Sequence, residues 1–285
     1  MRYVPKPQPA GIADNANVSK RHPLAELAIL LIGAFLLVLA IYGLLGLAVD
    51  MAARYLPVEY EMSLSGLGDE MFPQAAQDDA RTKYLSGILD RLLSGTEPDG
   101  RSYRIDVLDY AEGDTRPANA LALPGGRIVV FCGLLEQARS ENELAMVLGH
   151  ELGHFRNRDH LRSLGRGLVV TGISVLLLGE NSGVSRFLMG SMSIANLNYT
   201  QLQETEADRF GLDLLHHSYG HVGGATDFFS RMATDEPHPA LNALFSTHPL
   251  SSRRVKALEG MTRDRGFATG ALTALPEGMQ CKLES

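Results

Sequence analysis

His150-Glu151-Leu152-Gly153-His154, the pattern H-E-x-x-H, decides how the rest of this 285-residue chain is read. On an α-helix, residues four apart stand one turn above the other on one face, so His150 and His154 can each offer a ring nitrogen to the same cation. Glu151 lies beside them and is a candidate to take protons from a metal-activated water and return them. The residues ahead of the motif predict a helix. Ser140-Glu141-Asn142-Glu143 reads as a capping box, and Leu144, Val147, Leu148, Leu152 and Phe155 follow at helical spacing. The two His stand near the edge of that apolar stripe, where a half-buried metal site is expected.

About fifty residues on, the stretch Tyr199 to His217 also reads as a helix, with Leu202, Ala207, Phe210, Leu214 and Leu215 recurring at three and four. Glu204 and Asp208 share one of its faces. Glu204 would complete a two-His, one-Glu site for Zn2+, and Asp208 is placed to accept the outer N–H of a ligating imidazole. Glu204, Glu206 and Asp208 would also suit a solvated acidic face; the upstream H-E-x-x-H favours ligation.

These residues carry a resemblance to the HtpX and CAAX-prenyl-protease family of membrane-associated gluzincin metallopeptidases. It runs from about Asn119 to Leu258 in four ordered blocks: 119–126 leading into a strand, Glu143 to Gly149 leading into the metal motif, Glu204 to Asp208, and Thr247-His248-Pro249 with Arg254. The resemblance implies one Zn2+ held by His150, His154 and Glu204, Glu151 as catalytic base and Asp208 as a supporting carboxylate. One departure is visible: the family often has Ser-Arg three residues ahead of the ligand Glu, whereas this chain has Thr200-Gln201.

The remaining site candidates are less sharply defined. His248 could stabilise the oxyanion of a tetrahedral intermediate, or fill the open zinc position in a resting state and be displaced on activation. Tyr199 could offer a hydroxyl to the intermediate, and Arg254 could donate to a substrate carbonyl or to a helix carboxylate. The run Arg127, Ile128, Val129 and Val130 reads as a strand that could serve as an edge for an extended peptide, read through its main chain. An interior strand is the other reading. His160, His216, His217, His221 and His238 have no ligand-like spacing and are expected at the surface.

Composition fits one enzyme domain on an anchor: 45% hydrophobic residues and no low-complexity tract. Leu27 to Val49 carries no charge, and at about 1.5 Å per residue it is long enough for the roughly 30 Å hydrocarbon layer of a bilayer. Arg2, Lys6, Lys20 and Arg21 precede it, whereas Arg54 is the nearby base after it, so the positive-inside rule predicts a cytoplasmic N-terminus. The first twenty-two residues carry +3 of an overall −7, leaving an acidic body that disfavours nucleic acid as a partner. A second apolar stretch, Gly167 to Gly179, is short for a span and is expected to be a core or interfacial helix; Phe187 to Leu197 is apolar as well. Cys132 and Cys281 form no C-x-x-C, and both a disulfide and free thiols remain open.

The expected fold is α+β, mostly helical: a gluzincin-type domain with a small sheet, preceded by one N-terminal transmembrane helix. Residues 1–22 are expected as a disordered cytoplasmic tail, 23–50 as the anchor in an inner membrane, and 51–285 as the metallopeptidase domain on the extracytoplasmic side. Protein or peptide substrates follow from the resemblance, with misfolded or unassembled membrane and envelope proteins as the targets. The competing reading is a chaperone or assembly factor with a latent, His-gated protease site. A prenyl-protein protease with its site inside the membrane would need several spans.

Overall fold

The computed structural model of the chain describes residues 22–72, 74–75, 79–94, 96–111, 116–186, 199–233, 248 and 252–281. The expected N-terminal tail, apart from His22, the apolar stretch Phe187 to Leu197, His238, Thr247 and Pro249 lie outside them. The chain divides into two compact units, Met1–Leu45 and Gly46–Ser285. Helix α1 (Pro23–Tyr55) begins in the first and ends in the second, five residues beyond the expected end of the anchor. It is long and apolar enough to cross a membrane, and its apolar side chains are almost all exposed.

In the second unit, α2 (Val58–Ser63) and α3 (Ser65–Met71) lead to α4 (Ala80–Leu93). Asp79 caps α4 by accepting from the N–H groups of Arg81 and Thr82. Leu85, Ile88, Leu89 and Leu92 are buried at helical spacing and anchor α4 to the core. Strands β1 (Arg104–Leu108), β2 (Ala120–Leu123) and β3 (Arg127–Phe131) form a sheet of order β1-β3-β2, with β1 parallel and β2 antiparallel to β3. The β2–β3 hairpin turns through Pro124-Gly125-Gly126; both glycines have positive φ, 84° and 74°, a conformation that a side chain would strain.

This order corrects the expectation for β3. The hairpin adds β2 as a further strand, so β3 is central and paired on both sides, and its residues are wholly buried. The Arg127 guanidinium is engaged within the fold: it donates to Asp106 Oδ2 at 2.5 Å and to the carbonyls of Gly68 and Phe72 at 2.8 and 2.9 Å, tying α3 to the sheet.

After α5 (Cys132–Gln137) comes α6 (Glu141–Asn157), which carries the motif. Ser140 caps it by accepting from the Glu143 N–H, while the Glu143 carboxylate reaches back to the Arg139 N–H. The sequence placed the His at the edge of a stripe. Instead α6 is buried on every side from Glu141 to Phe155, because α4, β2, α7 (Asp159–Leu178) and α8 (Gln201–Tyr219) all pack on it. Helices α9 (Asp227–Ala233) and α10 (Ser252–Asp264) complete the described helices. Cys132 and Cys281 are joined in a disulfide that ties the C-terminal segment to the start of α5.

Candidate metal centre

Two helices build the site, and small residues bring them together. A Cβ on Gly153 would stand 2.7 Å from Ala207 Cα, and one on Gly211 would stand 2.9 Å from the backbone nitrogen of His150. Without Gly149, Gly153, Ala207 and Gly211 at the crossing, α6 and α8 could not approach so closely. This contact faces His150 and His154 of α6 towards Glu204 and Asp208 of α8. Helix α8 starts with a capping box: Thr200 Oγ1 accepts from the Gln203 N–H, and Gln203 Oε1 accepts from the Thr200 N–H. Thr200 thus serves the helix start, while the charge beside Glu204 comes from Arg254 of α10.

His150 Nε2 and His154 Nε2 are 3.1 Å apart. Glu204 Oε1 lies 3.4 Å from the His154 nitrogen, and Oε2 lies 3.6 Å from that of His150. His248 Nδ1 stands 3.1 Å from His150 Nε2 and 3.0 Å from Glu204 Oε1. These separations are close to the roughly 3.3 Å between neighbouring donors of a tetrahedral ion bonded at about 2.0 Å, and one ligand atom from each of the four residues lies within 4.8 Å of the others. All four side chains are buried, and two or three imidazoles with one carboxylate form a donor set that zinc favours. The residues present therefore fit Zn2+.

Each His of the motif is backed by a carboxylate. His150 Nδ1 lies 3.0 Å from Asp208 Oδ1, and His154 Nδ1 lies 3.0 Å from Asp159 Oδ2. Both contacts leave the Nε2 atoms facing the centre. Arg254 donates to both oxygens of Asp208, at 2.8 and 2.7 Å, and pairs with Glu204, so of the two roles open to it the structure supports the carboxylate one. Burial alone would raise the Glu204 carboxyl; the charges of His248 and His150 and the contacts with His154 and His248 outweigh it and hold that group well below the usual range. Glu151 differs. Burial dominates and pushes its carboxyl up, although His248 Nε2 lies 3.6 Å from Oε1 and the Ala122 N–H donates to the carboxyl.

Tyr199 is buried and stacks on the His154 ring at 3.8 Å between centroids, and its hydroxyl has no hydrogen-bond partner among the described residues. The candidate site residues on the helices, with Tyr199 and His248, are gathered in one place, whereas Arg127 to Val130 lie on the central strand of the sheet.

Three residues near the centre escaped the sequence reading. Asp159 orients His154, and Gln203 Nε2 fixes it by donating to Oδ1 at 2.7 Å. Asp159 lies just past the end of α6, where Arg158 takes a left-handed conformation (φ 58°) and turns the chain into α7. An acid five residues after the second His was a readable signal. His160, expected at the surface, is buried: its Nε2 lies 3.1 Å from the buried Glu61 of α2, a residue too distant in sequence to suggest the pair.

A buried cluster of two His from H-E-x-x-H and a Glu from a second helix that fits one zinc ion, with a second buried Glu beside it, is the arrangement of a zinc metallopeptidase domain. The profile of peptidase family M48 matches residues 79–262, most of the chain, and the chain belongs to that family. It is 29% identical over 216 residues to "Mitochondrial metalloendopeptidase OMA1" of Schizosaccharomyces pombe, covering 74% of this chain and 61% of that protein. It is 26% identical over 206 residues to "Metalloprotease LoiP" of Escherichia coli K12, covering 70% and 78%. With the "Beta-barrel assembly-enhancing protease" of Yersinia pestis it shares 25% identity over 219 residues, covering 72% and 44%. None of these three is an HtpX or a CAAX prenyl protease, so the family-level resemblance stands while its finer assignment does not follow.

Proposed function

We propose that this chain is a membrane-anchored zinc metalloendopeptidase that cuts extended segments of misfolded or unassembled membrane and envelope proteins. The observation that carries this reading is Glu151, buried beside two imidazoles and the Glu204 carboxylate that fit one zinc ion. Zinc in such a site polarises a carbonyl and lowers the pKa of water to about 7. Glu151, its carboxyl raised by burial, would take a proton from water at its side and hand it to the leaving amine. Asp208 and Asp159 hold the imidazoles in place, and the Tyr199 hydroxyl is available to donate to the developing oxyanion.

Helix α1 serves as the anchor, through Leu27 to Val49. The basic residues ahead of it favour a cytoplasmic N-terminus, and the Cys132–Cys281 disulfide suits an oxidising compartment such as the periplasm. Substrate lies along β2 rather than β3, because Ala122 of β2 borders Glu151. That strand is itself buried, so peptide enters only where its cover moves aside. The relatives' printed names, a metalloendopeptidase, a metalloprotease and an assembly-enhancing protease, are consistent with proteolytic quality control.

A second reading has its own observation. His248 Nδ1 sits within the ligand cluster, which suits a latent state with His248 as the fourth ligand, released on activation. A chaperone or assembly role for that state is the alternative function.

The test compares wild type with Glu151→Gln for zinc content and for casein cleavage. A mutant that keeps its zinc and loses cleavage supports the reading; equal cleavage by both discards the role of Glu151. A reporter fused after Ser285 checks topology, and activity of that reporter in the cytoplasm overturns the orientation.

A further inference from the structure

Helix α7 meets the end of α1 at the point where both helices lose their charges. Asp50 closes the charge-free run Leu27–Val49, and Arg166 precedes another, Gly167 to Gly179. The two boundary residues are paired: Arg166 Nη2 donates to Asp50 Oδ2 at 2.6 Å. One residue earlier, a Cβ on Gly165 would lie 2.6 Å from Val49 Cγ1. Two polar-to-apolar boundaries more than a hundred residues apart in sequence therefore coincide in space.

Beyond this level Leu168, Val170, Leu176, Leu177 and Leu178 are exposed. At about 100° per residue these five point around the whole helix instead of lining one face. A protein groove covers a stripe, whereas an apolar phase covers every side. The phase that begins at Val49 on α1 is the one continuous with Gly167 on α7. We propose that residues 167–178 of α7 insert into the lipid bilayer that receives α1, entering one leaflet without crossing. This rests on the reading of α1 as an anchor.

The length sets the geometry. Twelve residues extend about 18 Å, short of the roughly 30 Å hydrocarbon layer. Glu180, which follows the helix, must stay within reach of the headgroups, so the helix lies oblique. Asp159, which holds His154, lies seven residues before Arg166, about 10 Å along the helix. The zinc centre is then kept close to the membrane surface, which selects segments emerging from the bilayer as substrates.

The chain contains no Trp, so single-Trp variants report position directly. The full chain carrying Leu177→Trp, Leu37→Trp or Leu272→Trp, all exposed positions, is reconstituted in phosphatidylcholine vesicles with nitroxide lipids labelled near the headgroup or near the chain end. Leu177→Trp should shift its emission to the blue and lose about half its intensity to the shallow label. Leu37→Trp should respond more to the deep label, and Leu272→Trp to neither. Quenching of Leu37→Trp without Leu177→Trp overturns the insertion of α7 and leaves the anchor intact; quenching of neither overturns both. Quenching of Leu177→Trp by the deep label as strong as by the shallow one puts it at the bilayer midplane and overturns the oblique, one-leaflet placement. Shielding of Leu177→Trp from acrylamide without lipid quenching means a protein covers α7 and also overturns the proposal. Zinc content equal to wild type confirms folding, and Leu176→Trp replaces any variant that fails this check.

Discussion

The two zinc-facing imidazoles are held from opposite sides. His150 leans on Asp208, which sits on α8 together with Glu204 and is locked by Arg254. His154 leans on Asp159, in a turn whose neighbours reach outwards: Arg158 donates to the Ala53 carbonyl at 2.9 Å and to that of Leu56, and His160 contacts Glu61. One half of the centre therefore depends on the packing of two core helices, and the other on residues at the end of α1. A fault in the first should strike zinc binding directly. A fault in the second should reach it only through Asp159.

The largest effect belongs to the α8 side. Glu204→Ala removes a ligand and leaves Arg254 and Asp208 without their third partner, so zinc affinity should fall by about a thousandfold or more, with cleavage at background. Zinc titration against a chelator measures this; near-native affinity would break the assignment of Glu204. Gly153→Val comes next, because its side chain must displace the Ala207 backbone. Overpacking of this kind costs about 1–3 kcal/mol, and the shift of α8 should weaken zinc binding although no ligand is touched. Unfolding by denaturant and zinc titration on the same sample separate the two effects.

Asp208→Asn and Asp159→Asn then compare the two sides directly. Each removes a carboxylate behind one imidazole, and each should lower zinc affinity about 10- to 100-fold. Asp208→Asn should cost more, because Arg254 loses one of its two charged partners as well. If the sides act independently, the double mutant shows the product of the two losses; a smaller loss means that the two carboxylates act as one network.

The α8 side was legible in the sequence because its information is local. His150, Glu151 and His154 are fixed by helical spacing, and Glu204 and Asp208 by one turn of a second helix. The α7 side was only half legible: Asp159 follows the motif closely, but its role needs the left-handed turn at Arg158, and Glu61 is joined to His160 only by folding. The sheet failed for a related reason. Arg127 to Val130 was recognised as a strand, yet whether it lay at the edge depended on the pairing of 120–123, which the short apolar run did not announce. Charged residues misled as well, since Glu61, Arg127 and His160 are buried where sequence alone places such groups at the surface. Their partners make that burial tolerable, and partners are a property of the fold.

The smallest expected effect on zinc comes from Glu61, and it isolates the outer half of the comparison. Burial would raise its carboxyl, but hydrogen bonds from His160 and from Arg101, at 2.9 and 2.8 Å, outweigh this and lower it from 4.5 to about 2. A carboxyl lowered on folding contributes stability that is fully present above its unfolded pKa and is lost as pH falls through its folded one. Wild type should therefore lose stability as pH drops from about 4.5 towards 2, whereas Glu61→Gln should show a flatter profile across that window. At neutral pH the mutant leaves the Arg101 guanidinium with only Asp99 and should be less stable by about 3–5 kcal/mol. Its zinc affinity should change less than that of Asp159→Asn, because Asp159 keeps Gln203 as a second support. Denaturant unfolding across pH, paired with zinc titration, reads both quantities. A loss of zinc affinity as large as that of Asp159→Asn would show that the α2–α7 contact sets the ligand geometry itself, and α2 would then belong to the metal centre.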